Sequence, residues 1–252
     1  MDLIWKISTI KISEKTMKKL MDFIINILYP KRCSFCNVVI YNSSRYFLCN
    51  ECLAKVKFIE DGCIKCGKVL AMGYDELCND CRTIRHYFDK AYSAVEYRDE
   101  VKKALIRYKF FGKKQLIDTF VELMLYKVEK LKNIDLVVGV PLHQKRFKER
   151  GFNQSENLAK LLAERLGYLF DNKILAKVKE TQNQSELSRI RRLKNLKLAF
   201  KIIDKTKVKG KDILLVDDIY TTGATVSECS KVLKQAGASH VYVLTIASGK
   251  GY

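Results

Sequence analysis

The chain of 252 residues is long enough for one domain or two, and at 48% hydrophobic it can bury a sizeable core. Lys and Arg number 47 against 28 Asp and Glu, a net charge of +19 that points to a polyanionic partner such as nucleic acid or to an anionic membrane surface. No segment reaches the roughly 18 apolar residues of a membrane span. Lys6, Lys11, Lys15, Lys18 and Lys19 break up the N-terminus where a secretory signal needs an apolar run, so the expected location is cytoplasmic. In that compartment paired cysteines mean metal rather than disulfides.

Residues 1 to about 16 are weakly patterned. Met17, Leu20, Met21, Ile24, Ile27 and Leu28 then recur at helical spacing, and Pro30 ends that helix, which is expected to pack on its own protein. Four Cys-x-x-Cys pairs follow: Cys33/Cys36, Cys49/Cys52, Cys63/Cys66 and Cys78/Cys81. Each knuckle puts two thiolates on one turn, and two knuckles complete a tetrahedral zinc site. Two structural Zn²⁺ sites are expected, with four sulfur ligands each and no open position. Sequential pairing is the simplest, and the spacing also permits an interleaved one. So short a stretch has little core of its own, so metal is expected to drive its folding. The expected organisation is an N-terminal helical extension at 1–30, a double zinc ribbon at 31–85 and an α/β domain at 86–252.

That domain opens with a strand around Tyr92, Ala94 and Val95. Arg98 to Phe111 is basic and aromatic, with Lys102, Lys103, Arg107, Tyr108, Lys109, Phe110 and Phe111, and Gly112 breaks it. Aromatics among cations suit single-stranded nucleic acid. An amphipathic helix burying Val101, Leu105 and Tyr108 accounts for the same pattern equally well. Leu116 to Leu131 reads as a helix with Phe120, Leu123, Met124 and Val128 inward, and Ile134 to Val140 as a buried strand ending at Pro141. A cationic loop follows, from Leu142 to Arg150, with His143 within it. The string Arg150-Gly151-Phe152-Asn153-Gln154 then leads into a helix over Leu158, Leu161 and Leu162, capped by Asn153 and stopped at Gly167.

The most informative stretch is Ile213 to Thr225. Ile213, Leu214, Leu215 and Val216 have no polar alternation, as in a strand buried on both faces of a parallel sheet. Asp217 and Asp218 follow at once, then a hydroxyl-rich loop of Thr221, Thr222, Gly223, Ala224 and Thr225. A helix with Val226, Cys229, Val232, Leu233 and Ala236 on one face ends at Gly237, and a strand from Val241 to Ile246 completes a βαβ unit. Ligands bind at the carboxyl ends of such strands. Free N–H groups at a helix start attract phosphate, the glycine permits close approach, and paired carboxylates can accept two sugar hydroxyls. The implied ligand is a ribose phosphate, and Lys145 and Arg146 in the cationic loop are candidates for a pyrophosphate. No Gly-Lys-Thr follows the strand, so this is not a P-loop.

This stretch resembles the phosphoribosyl pyrophosphate signature of type I phosphoribosyltransferases. By that resemblance Asp217 and Asp218 hold the ribose hydroxyls, Thr221 to Thr225 cradle the 5′-phosphate, and Mg²⁺ accompanies the pyrophosphate. Purine salvage members often carry an aspartate where this chain has Thr221, which argues against a hypoxanthine-guanine type enzyme. The four knuckles, the Arg-Gly-Phe-Asn-Gln string and the terminal motif together resemble the ComF family of competence-associated proteins, with GntX as its gluconate-linked relative. Thr181 to Ser185, Leu187, Arg191, Arg192, Asn195 and Phe200 also match that family's pattern. The resemblance runs from about residue 21 to the end. It implies a type I phosphoribosyltransferase-like parallel sheet preceded by the zinc ribbon, with residues 177–211 as a hood over the ligand. It also implies a cytoplasmic role in natural transformation, handling single-stranded DNA beside a helicase partner. The alternative is an active, Mg²⁺-dependent phosphoribosyltransferase, for which no residue identifies the acceptor or a catalytic group.

Overall fold

A computed structural model describes residues 28–40, 44–70, 76–111, 115–128, 133–181 and 198–251, together with positions 17, 20, 21, 24, 25, 131 and 196. The weakly patterned residues 1–16, Gly112 and, from the expected hood, residues 182–195 lie outside the described residues. So do Leu187, Arg191, Arg192 and Asn195 of the family pattern.

Four parallel strands form the central sheet in the order β2-β7-β6-β3: β2 (Lys90–Glu96), β7 (His240–Ser248), β6 (Asp212–Tyr220) and β3 (Leu136–Gly139). The βαβ unit read from the sequence is present as β6, α7 (Ala224–Gln235) and β7. Side chains alternate across β6 and so feed two cores. Leu214 and Val216 face α3 (Asp99–Phe111), α4 (Gln115–Val128) and α6 (Gln154–Leu166), where Val101, Leu105, Tyr108, Phe120 and Leu158 are buried. Ile213 and Leu215 face α7 and the small antiparallel pair β4 (Leu175–Lys177) and β5 (Phe200–Ile202), with Val226, Cys229 and Leu233 buried there. Gly139 allows β3 to lie against α6, since a Cβ there would come within 2.6 Å of the Glu156 Cα.

Both sheet edges are covered. Along the outer edge of β2, the Ile59 N–H donates to the Ala94 carbonyl and the Glu96 N–H to the Lys57 carbonyl, at 3.0 and 2.8 Å. The Ala91 N–H donates to the Lys65 carbonyl at 2.9 Å. On β3, the Val137 N–H donates to the Leu169 carbonyl at 2.8 Å. An unpaired edge invites another chain, so the segment joining the two cysteine centres acts as edge protection. The second centre is also tied to the C-terminus, because β1 (Val69–Leu70) pairs with β8 (Lys250–Gly251).

Three expectations need correction. Met17, Leu20, Met21, Ile24 and Leu28 are helical, but their apolar side chains are exposed rather than packed on the protein. The core nearest to them in sequence is already closed by Phe35 and Leu48. The cationic stretch after Pro141 is a helix, α5 (Gln144–Arg150), not a loop. His143 caps it, its Nδ1 accepting the Lys145 N–H at 3.4 Å, and Gly151 closes it in the left-handed region at φ 78°. Finally, β6 does not stop before the carboxylates. Its pairing with β7 runs on to Tyr220 opposite Ser248, so Asp217 and Asp218 belong to the strand. No helix among the described residues is long and apolar enough to cross a membrane.

A cationic cavity and two cysteine centres

The eight knuckle cysteines gather in sequential pairs, Cys33, Cys36, Cys49 and Cys52 in one centre and Cys63, Cys66, Cys78 and Cys81 in the other. Within each centre the sulfurs lie within 4.8 Å of one another, and Cys36–Cys49 and Cys66–Cys78 are 3.6 Å apart. Sulfurs bound to one tetrahedral zinc at about 2.3 Å stand about 3.8 Å apart, so both sets are close to the spacing that Zn²⁺ needs. The knuckles are set by short helices: Cys49 caps α1 (Asn50–Ala54), its sulfur accepting the Cys52 N–H, and Cys78 precedes α2 (Asn79–Thr83). The first centre packs into the α3–α4 core with Phe35 and Leu48, and the second packs on the opposite face of the sheet with Phe88 and Tyr220. Thiolates saturated in this way leave no position for substrate, so the zinc is structural.

The carboxyl ends of β3 and β6 open onto a cavity of about 720 Å³. Asp217 and Asp218 line it together with Thr221, Gly223, Ala224 and Thr225, the start of α7. Gly223 is the helix cap at φ 73°, and a Cβ there would run into the Tyr220 hydroxyl, so only glycine fits this turn. Thr222 is the one member of the expected loop that does not line the cavity. It is buried, and its hydroxyl accepts the Ala224 N–H at 3.4 Å.

The two carboxylates are held differently. Ser155 Oγ and the Asp218 N–H both donate to Asp217 Oδ1, at 2.7 and 2.9 Å. Burial, then the adjacent Asp218 charge, nevertheless holds the Asp217 carboxyl above the usual range. Asp218 pairs with Lys109 Nζ at 3.3 Å, and that carboxylate raises the lysine. Four more cations line the walls: Lys102, Arg146, Arg150 and Lys177. None has an ion-pair partner among the described residues. Burial pulls Arg150 and Lys177 downward, and the Arg150 Nη1 is buried without a hydrogen bond among the described residues. The Arg150 guanidinium stacks over Phe110, 5.6 Å from the ring centroid, while Phe110 itself is 65% exposed at the mouth. With Lys109, five cations stand around the cavity against the two aspartates, so its walls carry a net positive charge that favours an anion.

Of the expected pyrophosphate pair, Arg146 lines the cavity. Lys145 is not among the lining residues and pairs with Glu180 at 2.9 Å. Lys109, Arg150, Ser155 and Lys177 were not read from the sequence as site residues. A signal existed for α3, where Lys102, Leu105 and Lys109 recur at i, i+3 and i+7 and all face the cavity. Lys177 on β4 and Ser155 on α6 carried no such pattern.

A buried parallel strand ending in Asp-Asp and running into a Thr-Thr-Gly helix start, preceded by two cysteine centres, defines a phosphoribosyltransferase-type domain carrying a double zinc ribbon. Residues 24–82 match the double zinc ribbon domain family, and residues 147–251 match the phosphoribosyl transferase domain family. The DNA utilization protein YhgH of Salmonella typhi is 30% identical over 221 residues, covering 85% of this chain and 95% of the relative. Competence protein F of Haemophilus influenzae is 30% identical over 79% of this chain and 90% of its own length. Competence protein ComFC of Streptococcus pneumoniae is 30% identical over 84% of this chain and 93% of its own length. The chain belongs to the ComF family.

Proposed function

We propose that the cavity binds phosphoribosyl pyrophosphate, or a related ribose phosphate, together with Mg²⁺, and that the protein engages single-stranded DNA in the cytoplasm during DNA uptake. The observation that carries this reading is the set of cations, without ion-pair partners among the described residues, around one cavity whose base is the Asp217–Asp218 pair and the α7 start. In this reading Thr221 to Thr225 receive the 5′-phosphate, Asp217 and Asp218 accept the ribose hydroxyls, and Arg146 faces the pyrophosphate. Lys145 joins it by exchanging its Glu180 partner. The names of the Haemophilus and Streptococcus relatives supply the competence context, and a helicase is the expected partner there. The net charge of +19 suits sequence-independent phosphate contacts.

Calorimetric titration with phosphoribosyl pyrophosphate, with and without Mg²⁺, tests the first half. Binding is expected to be Mg²⁺-dependent and at least about tenfold weaker in Asp217→Ala, a step of roughly 1.4 kcal/mol. Absence of binding in the native chain sinks it. Single-stranded DNA binding across a salt series tests the second half, with a slope of about −0.7 per phosphate contacted. Absent or salt-insensitive binding counts against it.

The second reading is a transferase in nucleotide metabolism. The open cavity mouth beside the Phe110–Arg150 stack favours it, because an acceptor base could lie there. The acceptor would displace pyrophosphate at the ribose C1, and pyrophosphate release across a panel of nucleobases separates turnover from binding.

A further inference from the structure

We propose that the second cysteine centre is a positioning element of the phosphate loop, acting through Tyr220, whereas the first centre is not. This rests on the reading of Thr221–Thr225 as a phosphate loop. Tyr220 ends β6 immediately before that loop, and it is 2% exposed. Its ring is boxed by groups from the second ribbon and the residues just after it. Phe88 meets it edge-on at 6.2 Å and His86 at 6.4 Å, and Lys68 Nζ lies 5.7 Å from its centroid. Lys68 follows the Cys63/Cys66 knuckle by two residues, and Asp80 sits between Cys78 and Cys81. Their buried ion pair, at 2.8 Å, crosses from one knuckle to the other. The metal fixes both knuckles, the knuckles fix Lys68 and Asp80, and these fix one wall of the tyrosine's box.

The other end of the tyrosine touches the loop. Its hydroxyl occupies the space where a Cβ on Gly223 would stand, and it has no hydrogen-bond partner among the described residues. Ring packing rather than a polar bond therefore holds it in place, which makes its position depend on the box. A second contact reinforces the link: the Tyr87 N–H donates to Ser227 Oγ in the first turn of α7, at 3.2 Å. Among the described residues the first centre's side-chain hydrogen bonds reach α3 and α4 instead, with Arg107 Nη2 donating to the Phe35 carbonyl at 2.7 Å and Thr119 Oγ1 to Ser34 Oγ at 2.9 Å.

Hydrogen exchange followed by mass spectrometry on the full-length zinc-loaded protein tests this, comparing Cys78→Ser with Cys36→Ser and counting zinc per chain. Each variant is expected to lose one zinc. Only Cys78→Ser should speed exchange of residues 221–226, by about tenfold or more. Unchanged exchange there, or equal acceleration in Cys36→Ser, overturns the proposal. Tyr220→Leu covers the case in which Cys78→Ser fails to fold: it should keep both zinc ions and show the same acceleration, and unchanged exchange in it likewise overturns the proposal. A parallel titration with phosphoribosyl pyrophosphate separates the two claims. If the native chain does not bind it, the ligand reading falls, while exchange of 221–226 still decides whether the ribbon sets the loop.

Discussion

The cysteine centres and the cavity are opposite solutions to holding charge in a protein. Each centre draws four thiolates from one short stretch of chain and fits them to a metal, which satisfies them within the fold. The cavity draws Lys102 and Lys109 from α3, Arg146 and Arg150 from α5, Lys177 from β4 and the two aspartates from β6, and among the described residues only Lys109 of those cations has an ion-pair partner. One region satisfies its charges within one short stretch of chain, and the other gathers like charges from three elements around open space. The difference separates a part whose chemistry is closed from the part that the proposed ligand would fill.

The strongest way to break that contrast is to remove the metal. Stripping zinc with a chelator at neutral pH is expected to melt residues 31–85 cooperatively, since structural zinc binding in small modules supplies about 10–16 kcal/mol of folding energy. Circular dichroism and zinc release followed together check this, and a ribbon that stays folded without metal would contradict it. Next is Arg150→Met. It removes a half-buried cation and keeps an unbranched apolar stem, so phosphoribosyl pyrophosphate affinity should fall about tenfold or more, worth at least roughly 1.4 kcal/mol. The ligand-free melting temperature should stay level or rise, and a large fall in it would mean Arg150 is structural after all. Phe110→Leu should weaken single-stranded DNA binding by about fivefold or more, if a base stacks on the exposed ring at roughly 1–3 kcal/mol. A filter-binding titration checks it.

The smallest effect concerns Asp217 and pH. Its folded carboxyl is raised above the unfolded value, so the protonated form is the better-tolerated one in the fold. The sign follows directly: its contribution to stability is present below the unfolded value and is lost as pH rises from about 4 toward neutrality. Asp217→Asn should therefore gain stability relative to the native chain as pH rises over that range. Parallel melting curves should diverge from acid to neutral pH in favour of the variant, and curves that stay parallel would contradict it.

How far the sequence reached follows the same division. Knuckles are local, so their spacing announced the metal, although only the fold chose sequential over interleaved pairing. The Asp217–Thr225 stretch was legible because strand, carboxylates, glycine and helix start are contiguous. Lys109 and Asp218 meet across more than a hundred positions of chain, and nothing local marks Lys109 as a partner of that carboxylate. The run from Gln144 to Arg150 lacks an apolar face and so read as a loop, yet a His143 cap and a left-handed Gly151 suffice for two turns of helix. Asp217 and Asp218 read as lying just past the strand because polar side chains usually end a buried strand. Here β7 continues beside them as far as Ser248 and supplies backbone partners.

The backbone bonds between residues 57–65 and the edge of β2 carry a consequence for inheritance as well as for folding. A gene fragment beginning near residue 86 would encode the whole parallel sheet and yet bare its outermost strand. The product should self-associate edge to edge rather than circulate as an independent enzyme. During synthesis the ribbon leaves the ribosome first and waits for the strand it shields. The two halves are therefore poor candidates for shuffling as separate cassettes, and lineages that keep the sheet with this exposed flank should be found to have recruited some other cover for it.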